Sequence, residues 1–379
     1  MSSPSTDEDD APSTVDRLAG RLLEATVLER LGIALASIAT AIFIGLLAVA
    51  LSGYSPLLFL NNLIVGSVGS ERILARTLRF STFFIVTGVA VAIAFRAGVF
   101  NIGVQGQFIV GGIFCTMSIL WTAPLLPTGT VGGIGLMLVG TVAAAVGGGL
   151  YGALPGVLKA YADANEIITT IMLNFIAIGV VSWLVTNPFR AEGSTNVRTE
   201  SLPENVGLPP IVFGDSGFSI VGVLLTLALV AVVAIVMAQT RSGYDMVTSG
   251  YQASAAVYSG VDAKRTIVTT MTFSGAVAGL ASALYVIMFQ GSFIEPASIH
   301  TYGYDAIAVS LLAANNPVGV IPAGLLFGGL NSSGSYVQTY SDVPVQLIDG
   351  IVGIVIVFVA APELFRMAAE RAGLGGDDE

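Results

Sequence analysis

An all-α integral membrane bundle is the fold class this sequence predicts, and three observations carry the prediction. Of its 379 residues, 54% are hydrophobic and 11% are charged, far below the roughly 25% charge of a soluble domain. Mean hydropathy is +0.84, and apolar runs long enough to cross about 30 Å of hydrocarbon recur along the chain. The third observation is the 45 glycines, well above the usual share of about 7%. Small residues let membrane helices approach closely without a hydrophobic drive between them.

Residues 1–12 are rich in Ser, Pro and acid and read as a disordered tail. An interfacial helix carrying Arg17, Arg21 and Arg30 follows, so 1–30 forms an acidic tail and interfacial helix. This leader is too long and acidic for a cleaved signal peptide, and 31–51 is expected to persist as the first span. Further spans are expected at 81–95, 107–121, 131–153, 167–186, 218–238, 267–289 and 343–360. Between the last two, the apolar stretch 304–337 is broken by Asn315-Asn316-Pro317. Pro317 offers no backbone donor and disfavours helix at Asn316, which predicts two shorter helices in a hairpin. The total is about ten transmembrane helices within a permeation domain at 31–362, with a tail at 363–379. Small residues at four-residue spacing, Gly140, Ala144, Gly148, Gly152 and Gly156, then Gly275, Gly279 and Ala283, read as helix contact faces.

Basic residues set the orientation. With both termini cytoplasmic, the inner face collects Arg17, Arg21, Arg30, Arg96, Lys159, Arg241, Lys264, Arg265, Arg366 and Arg371. The outer face keeps Arg72, Arg76, Arg79, Arg190 and Arg198. A polar loop at 187–217 then lies outside as a surface for an extracytoplasmic partner, and 239–265 lies inside.

Several chemistries are excluded. Cys115 and His300 are each the sole residue of their type, so neither a thiol pair nor a zinc cluster can be built, and an integral-membrane enzyme lacks its usual clustered groups. No metal or cofactor site is expected. The two lysines, Lys159 and Lys264, follow Leu158 and Ala263, so the Gly-Lys pair of a phosphate-cradling loop is absent. If ATP drives this protein, another subunit hydrolyses it. A secondary transporter would pair charges at midplane; only Asp305 and Asp349 suggest it, without basic partners in those spans.

Between 95 and 107 the chain reads Phe-Arg-Ala-Gly-Val-Phe-Asn-Ile-Gly-Val-Gln-Gly-Gln. Lipid alone tolerates none of those polar groups, so they belong inside a bundle or beside a water-filled path. The inner loop includes a short helix at about 253–258, with Val257 and Tyr258 presenting apolar groups to the cytosol, and such a patch wants a protein partner.

Here the chain resembles the permease subunit of ABC importers in the branched-chain amino acid, ribose and nucleoside permease family. In that family the inner loop runs Gly-aromatic-Asn, two variable residues, Ala-Ala or Ala-Ser, a variable residue, then Tyr-Ala-Gly. It is matched by Gly250-Tyr251-Gln252-Ala253-Ser254-Ala255-Ala256-Val257-Tyr258-Ser259-Gly260, with Gln252 in place of Asn and Ser259 in place of Ala. Phe100-Asn101-Ile102-Gly103-Val104-Gln105-Gly106-Gln107 is similar to the signature of nucleoside-type permeases, which are linked to basic membrane proteins, with Gln105 where Glu is usual. The segment from Asn165 through Asn174, and Gly303-Tyr304-Asp305 leading to Asn315-Asn316-Pro317, match in the same way.

The resemblance implies a cobalamin-importer-like (type II) bundle in the cell membrane. It also implies a second permease subunit, cytosolic ABC ATPases, an extracytoplasmic solute-binding lipoprotein and no nucleic-acid polymer. It makes Tyr251, Gln252, Ala255, Ala256, Val257, Tyr258 and Gly260 the ATPase-coupling residues. The implied solute is a nucleoside, with a ribose-like sugar as the alternative. Asn101, Gln105, Gln107 and Asn174 either line the solute path or satisfy the broken backbone. Asp305, also a path candidate, can equally serve the first turn of a short helix. His300 is expected to be a loop residue without chemistry, and Cys115 a buried packing residue.

Overall fold

The computed structural model describes residues 27–214, 217–258, 260–341, 343–344, 347, 350, 353–354 and 357–358. Regular structure among them is helical, apart from an isolated antiparallel bridge between Arg198 and Ile294. The helices are α1 (Val27–Leu51), α2 (Pro56–Val68), α3 (Glu71–Arg96), α4 (Val104–Thr122), α5 (Thr130–Ala162) and α6 (Glu166–Thr186). After the long loop come α7 (Ile220–Gln239), α8 (Arg241–Tyr251), α9 (Ala253–Tyr258), α10 (Ala263–Leu284), α11 (Tyr302–Leu312) and α12 (Val320–Tyr340). Among the described residues, six helical segments are long and apolar enough to cross a membrane: α3, α4 with its following 3₁₀ turn, α5, α6, α7, and α10 with the π-helical turn Tyr285–Gln290.

Burial orders the bundle. Every residue of α3 from Ser81 to Ala94 is buried, so α3 is the central post. In contrast, α6 turns Ile168, Met172, Phe175, Ile176 and Trp183 outward, and α7 exposes Leu224, Leu225, Val232 and Ile235. Such all-round apolar helices suit a lipid boundary. The most extensive helix pair is α5 against α10. A Cβ at Gly148 would collide with the Gly275 carbonyl, and one at Gly279 with that of Ala144. The small-residue faces therefore let two backbones touch, which is how helices associate where burial of apolar surface gives no drive.

Long-range contacts sort the chain ends into two faces. On one, Asn205 Nδ2 donates to the Gly129 carbonyl (2.9 Å). There too the Thr199 amide bonds the Phe293 carbonyl (2.9 Å) and the Leu202 amide that of Gly291 (2.7 Å). This gathers the loop 187–217, the start of α5 and the end of the π turn. On the other, Gly250 at the end of α8 abuts Arg96 to Gly98 at the end of α3, and Lys264 on α10 lies over the Tyr161 ring at the end of α5. The loops 187–217 and 239–262 thus occupy opposite ends of the bundle.

Three expectations change. The span expected from residue 81 begins at Glu71: Ser70 caps α3 by accepting from the Ile73 amide (3.3 Å), and α2 precedes it with Ser55 as cap. Arg72, Arg76 and Arg79 therefore lie on a helix, and Arg79 is buried with its guanidinium 3.8 Å from the centre of the Phe289 ring. Residues 27–30, the end of the expected interfacial helix, lie in α1, and the rest of that expected helix lies outside the described residues. The loop 239–262 holds α8 as well as the expected short helix α9. The tail 1–26 and the tail 363–379 lie outside the described residues, as do Ser259, Asp349 and much of the final span expected at 343–360.

The interruption expected at Asn315-Asn316-Pro317 falls between α11 and α12. Ala314 and Asn315 turn through the left-handed region, with φ of 49° and 56°. Ser310 Oγ donates to Asn315 Oδ1 (2.9 Å), and Asn316 Oδ1 accepts from the Val318 amide (3.0 Å). The Asn316 side chain thus takes over a backbone donor that the broken helix leaves open, while the Ser310–Asn315 bond ties the turn to α11.

Candidate functional site

The polar stretch after Arg96 is a helix break inside the bundle. The chain leaves α3, turns at Gly98 (φ +71°) and starts α4 at Val104. Asn101 sits level with interior turns of two long helices: its Nδ2 donates to Ser274 Oγ (2.8 Å) on α10, and that hydroxyl donates to the Ala90 carbonyl on α3. The same Nδ2 donates to Gln107 Oε1 (2.9 Å), while Asn101 Oδ1 accepts from Gln107 Nε2 (3.0 Å) and the Gly103 amide (3.0 Å). Two side-chain amides thus face each other in a closed pair, fully buried. Without it, the amides of the break would be orphaned in a low-dielectric interior.

Asn174 on α6 secures the other flank. Its Oδ1 accepts from the Gly106 amide (2.8 Å) and its Nδ2 donates to the Ile102 carbonyl (2.9 Å). Gln105 points to a third element: its Oε1 accepts from the Gly303 amide (2.7 Å) and its Nε2 donates to the His300 carbonyl (3.4 Å). A Cβ at Gly303 would strike the backbone of Val104 and Gln105. The first turns of α4 and α11 therefore meet inside the bundle, and both helices begin there instead of at its surface.

Asp305, in the first turn of α11, is committed to side chains. Its Oδ2 lies 2.9 Å from His300 Nε2 and 3.5 Å from Thr301 Oγ1. The carboxamide of Asn331 on α12 lies 3.1 Å from the same His300 nitrogen. The His300 ring packs edge-on to Tyr302 (centroids 4.7 Å) and Phe84 (5.8 Å). Tyr302 in turn meets Phe83, Phe84, Phe108 and Tyr285 within an aromatic cluster. His300 and Asp305 keep 39% and 22% of their side-chain surface exposed, whereas Asn101, Gln105, Gln107 and Asn174 are buried.

His300 stands in the loop before α11, as expected, with its ring linked to Asp305 and Asn331. Sequence reading missed the link because Asn331 lies 31 positions away. Ser274 was missed too, although it sits beside Gly275 in the small-residue face. Cys115 is buried as expected.

At the far end, α8 and α9 form a contacting pair of short helices. Tyr251 is 86% and Tyr258 94% exposed, with Val257 and Gln252 also exposed and Ala256 buried as the anchor. Ala255 lies within α9, and Gly260 follows it at φ +84°. Nearby, Lys159 Nζ and Glu166 Oε1 pair at 2.6 Å across the α5–α6 turn.

A helical bundle that buries the polar break 97–103 among its long helices, and whose His300–Asp305 pair keeps solvent exposure at the start of α11, is built as the membrane component of a transport system. The family model for the permease component of branched-chain amino acid transport systems matches residues 73–360, and the chain belongs to that family. It is 33% identical over 336 residues to the guanosine ABC transporter permease protein NupP of Bacillus subtilis, covering 86% of this chain and 93% of that one. Over 344 residues it is 26% identical to the nucleoside ABC transporter permease protein NupB of Lactococcus lactis, covering 89% and 93%. Over 349 residues it is 29% identical to the glucose ABC transporter permease protein TsgB13 of Haloferax volcanii, covering 90% and 89%. No solved structure matches. The protein is a multi-pass membrane permease component and not an enzyme.

Proposed function

We propose that this chain is the transmembrane permease subunit of an ATP-driven ABC importer for nucleosides. The observation that carries the reading is its likeness along 93% of a guanosine permease. A sugar is the second reading, favoured by the likeness to a glucose permease over 89% of that chain.

In this reading α1, α11 and α12, with the final segment, join the six long helices in a ten-segment type II bundle. The N- and C-termini and the loop 239–262 face the cytosol, and 187–217 faces the solute-binding lipoprotein. A second permease subunit completes the path and two cytosolic ATPases drive it. Tyr251, Gln252, Ala255, Ala256, Val257, Tyr258 and Gly260 form the ATPase-coupling surface, supported by the exposure of Tyr251, Val257 and Tyr258. Asp305 borders the path. Gln105 holds the start of α11 at its edge, while Asn101, Gln107 and Asn174 hold the break behind it. The mechanism is alternating access: ATP closes the ATPase dimer, α8 and α9 follow, and their contact with Gly98 passes the motion to the break.

The test is uptake of labelled nucleosides and labelled pentoses by a strain lacking this chain, before and after complementation. Restored nucleoside uptake supports the reading. Restored pentose uptake alone moves it to the sugar alternative, and restoration of neither refutes it.

A further inference from the structure

Resting on that reading, we propose that Asp305, His300 and Asn331 form the hydrogen-bonding site for the vicinal diol of the solute's ribose. Most polar side chains of the bundle interior are consumed by protein partners: Asn101, Gln105, Gln107 and Asn174 are all buried and paired. The cluster at the start of α11 differs, because His300 and Asp305 retain 39% and 22% exposure. A carboxylate so exposed within a membrane bundle faces water or solute, since lipid contact would strand its charge.

The donor set fits a diol. A carboxylate is an acceptor with two oxygens, and a pair of adjacent hydroxyls is the neutral ligand that donates twice to it. Only Oδ2 of Asp305 is engaged by His300 and Thr301. The imidazole and the Asn331 carboxamide supply both donor and acceptor capacity beside it, matching hydroxyl oxygens that also accept. Orientation is fixed from behind. Gln105 clamps the chain at both His300 and Gly303, Tyr302 and Phe84 wall the imidazole, and α12 delivers Asn331 from the opposite side. Three elements thus converge on one small, partly exposed polar cluster. A free ribose and the ribose of a nucleoside share this chemistry.

The experiment compares uptake of labelled guanosine with 2′-deoxyguanosine, and of ribose with 2-deoxyribose, in the complemented strain. The binding protein and ATPases stay unchanged between variants, so a change in the ratio belongs to the permease. Native protein should favour the diol-bearing partner of whichever pair it imports by about tenfold, the usual size of one hydrogen bond to a charged group. Asp305→Asn should bring that ratio to within about twofold, Asp305→Glu should restore part of it, and Asn331→Ala should lower it independently if Asp305→Asn fails to accumulate in the membrane. A ratio near one in native protein overturns the proposal. So does a ratio unchanged in both Asp305→Asn and Asn331→Ala while total uptake falls, which is the signature of helix capping alone. Absence of uptake of all four solutes instead refutes the functional reading on which the proposal rests.

Discussion

Replacing Asn101 by Ala tests whether the amide pair serves the fold or the solute. The substitution removes four hydrogen bonds, to Gln107 twice, Ser274 and Gly103. Ser274 keeps the Ala90 carbonyl, so three groups are stranded: Gln107 Oε1, Gln107 Nε2 and the Gly103 amide. At about 1–3 kcal/mol for each stranded group, the ceiling is several kcal/mol. Membrane interiors return less, with measured side-chain couplings averaging about 0.6 kcal/mol, and a loss of about 3 kcal/mol is expected. Gln107→Leu strands nothing else, because Asn101 retains Ser274 and Gly103, and should cost about 1 kcal/mol. In the double variant only the Gly103 amide is stranded, so the combined loss should fall about 2 kcal/mol short of additivity. The assay is unfolding of the purified permease by SDS titration in bicelles, run as a double-mutant cycle. Additivity within about 0.5 kcal/mol would refute the paired geometry. Uptake that changes selectivity at full stability would make these amides solute contacts instead.

Three further outcomes are expected. Val257→Asp with Tyr258→Asp should abolish uptake and co-purification of the ATPase while the permease stays in the membrane; retained co-purification would make α9 a connector. Gly250→Ala places a Cβ against the Arg96 carbonyl and the Ala97 and Gly98 backbone, so it should lower uptake several-fold with the ATPase still bound, and normal uptake would disconnect α8 from the break. Because Cys115 is the sole thiol and is buried, a membrane-impermeant thiol reagent on intact cells should label Thr195→Cys and spare Tyr251→Cys; the reverse pattern inverts the orientation.

The fold was legible wherever a single physical signal dominated. Apolar length revealed α4 to α7 and α10, and Pro317 after two asparagines revealed the break between α11 and α12. Where signals competed, hydropathy misled. Arg72, Arg76 and Arg79 depressed it across the first turns of α3, although Ser70 ahead of Glu71 and Ser55 ahead of Pro56 were start signals in plain sight. Arg79 is tolerated there because aromatic rings receive it, Phe289 from above and Phe80 beside it, and no local pattern announces a partner 210 positions away.

The candidate site divides in the same way. The polar run 101–107 stood out because it violates its surroundings, but the identity of its partners, Ser274, Asn174 and Gly303, is long-range information that one sequence does not carry. His300 illustrates the limit most clearly. As a lone histidine it has no motif, and its meaning arises only when Gln105, Asp305 and Asn331 are brought around it from three elements.

The contact of Gly250 with Arg96, Ala97 and Gly98 joins two main chains with no side chain between them. A seam of that kind carries no residue-specific code, so the exposed side chains of α8 and α9 can be rewritten without altering what touches Gly98. Under the proposed coupling role, swapping the exposed positions of Tyr251, Val257 and Tyr258 would be a matter of matching a new ATPase, with the chain beyond Gly98 left as it is. That independence follows from two hydrogen atoms standing where any other amino acid would place carbon.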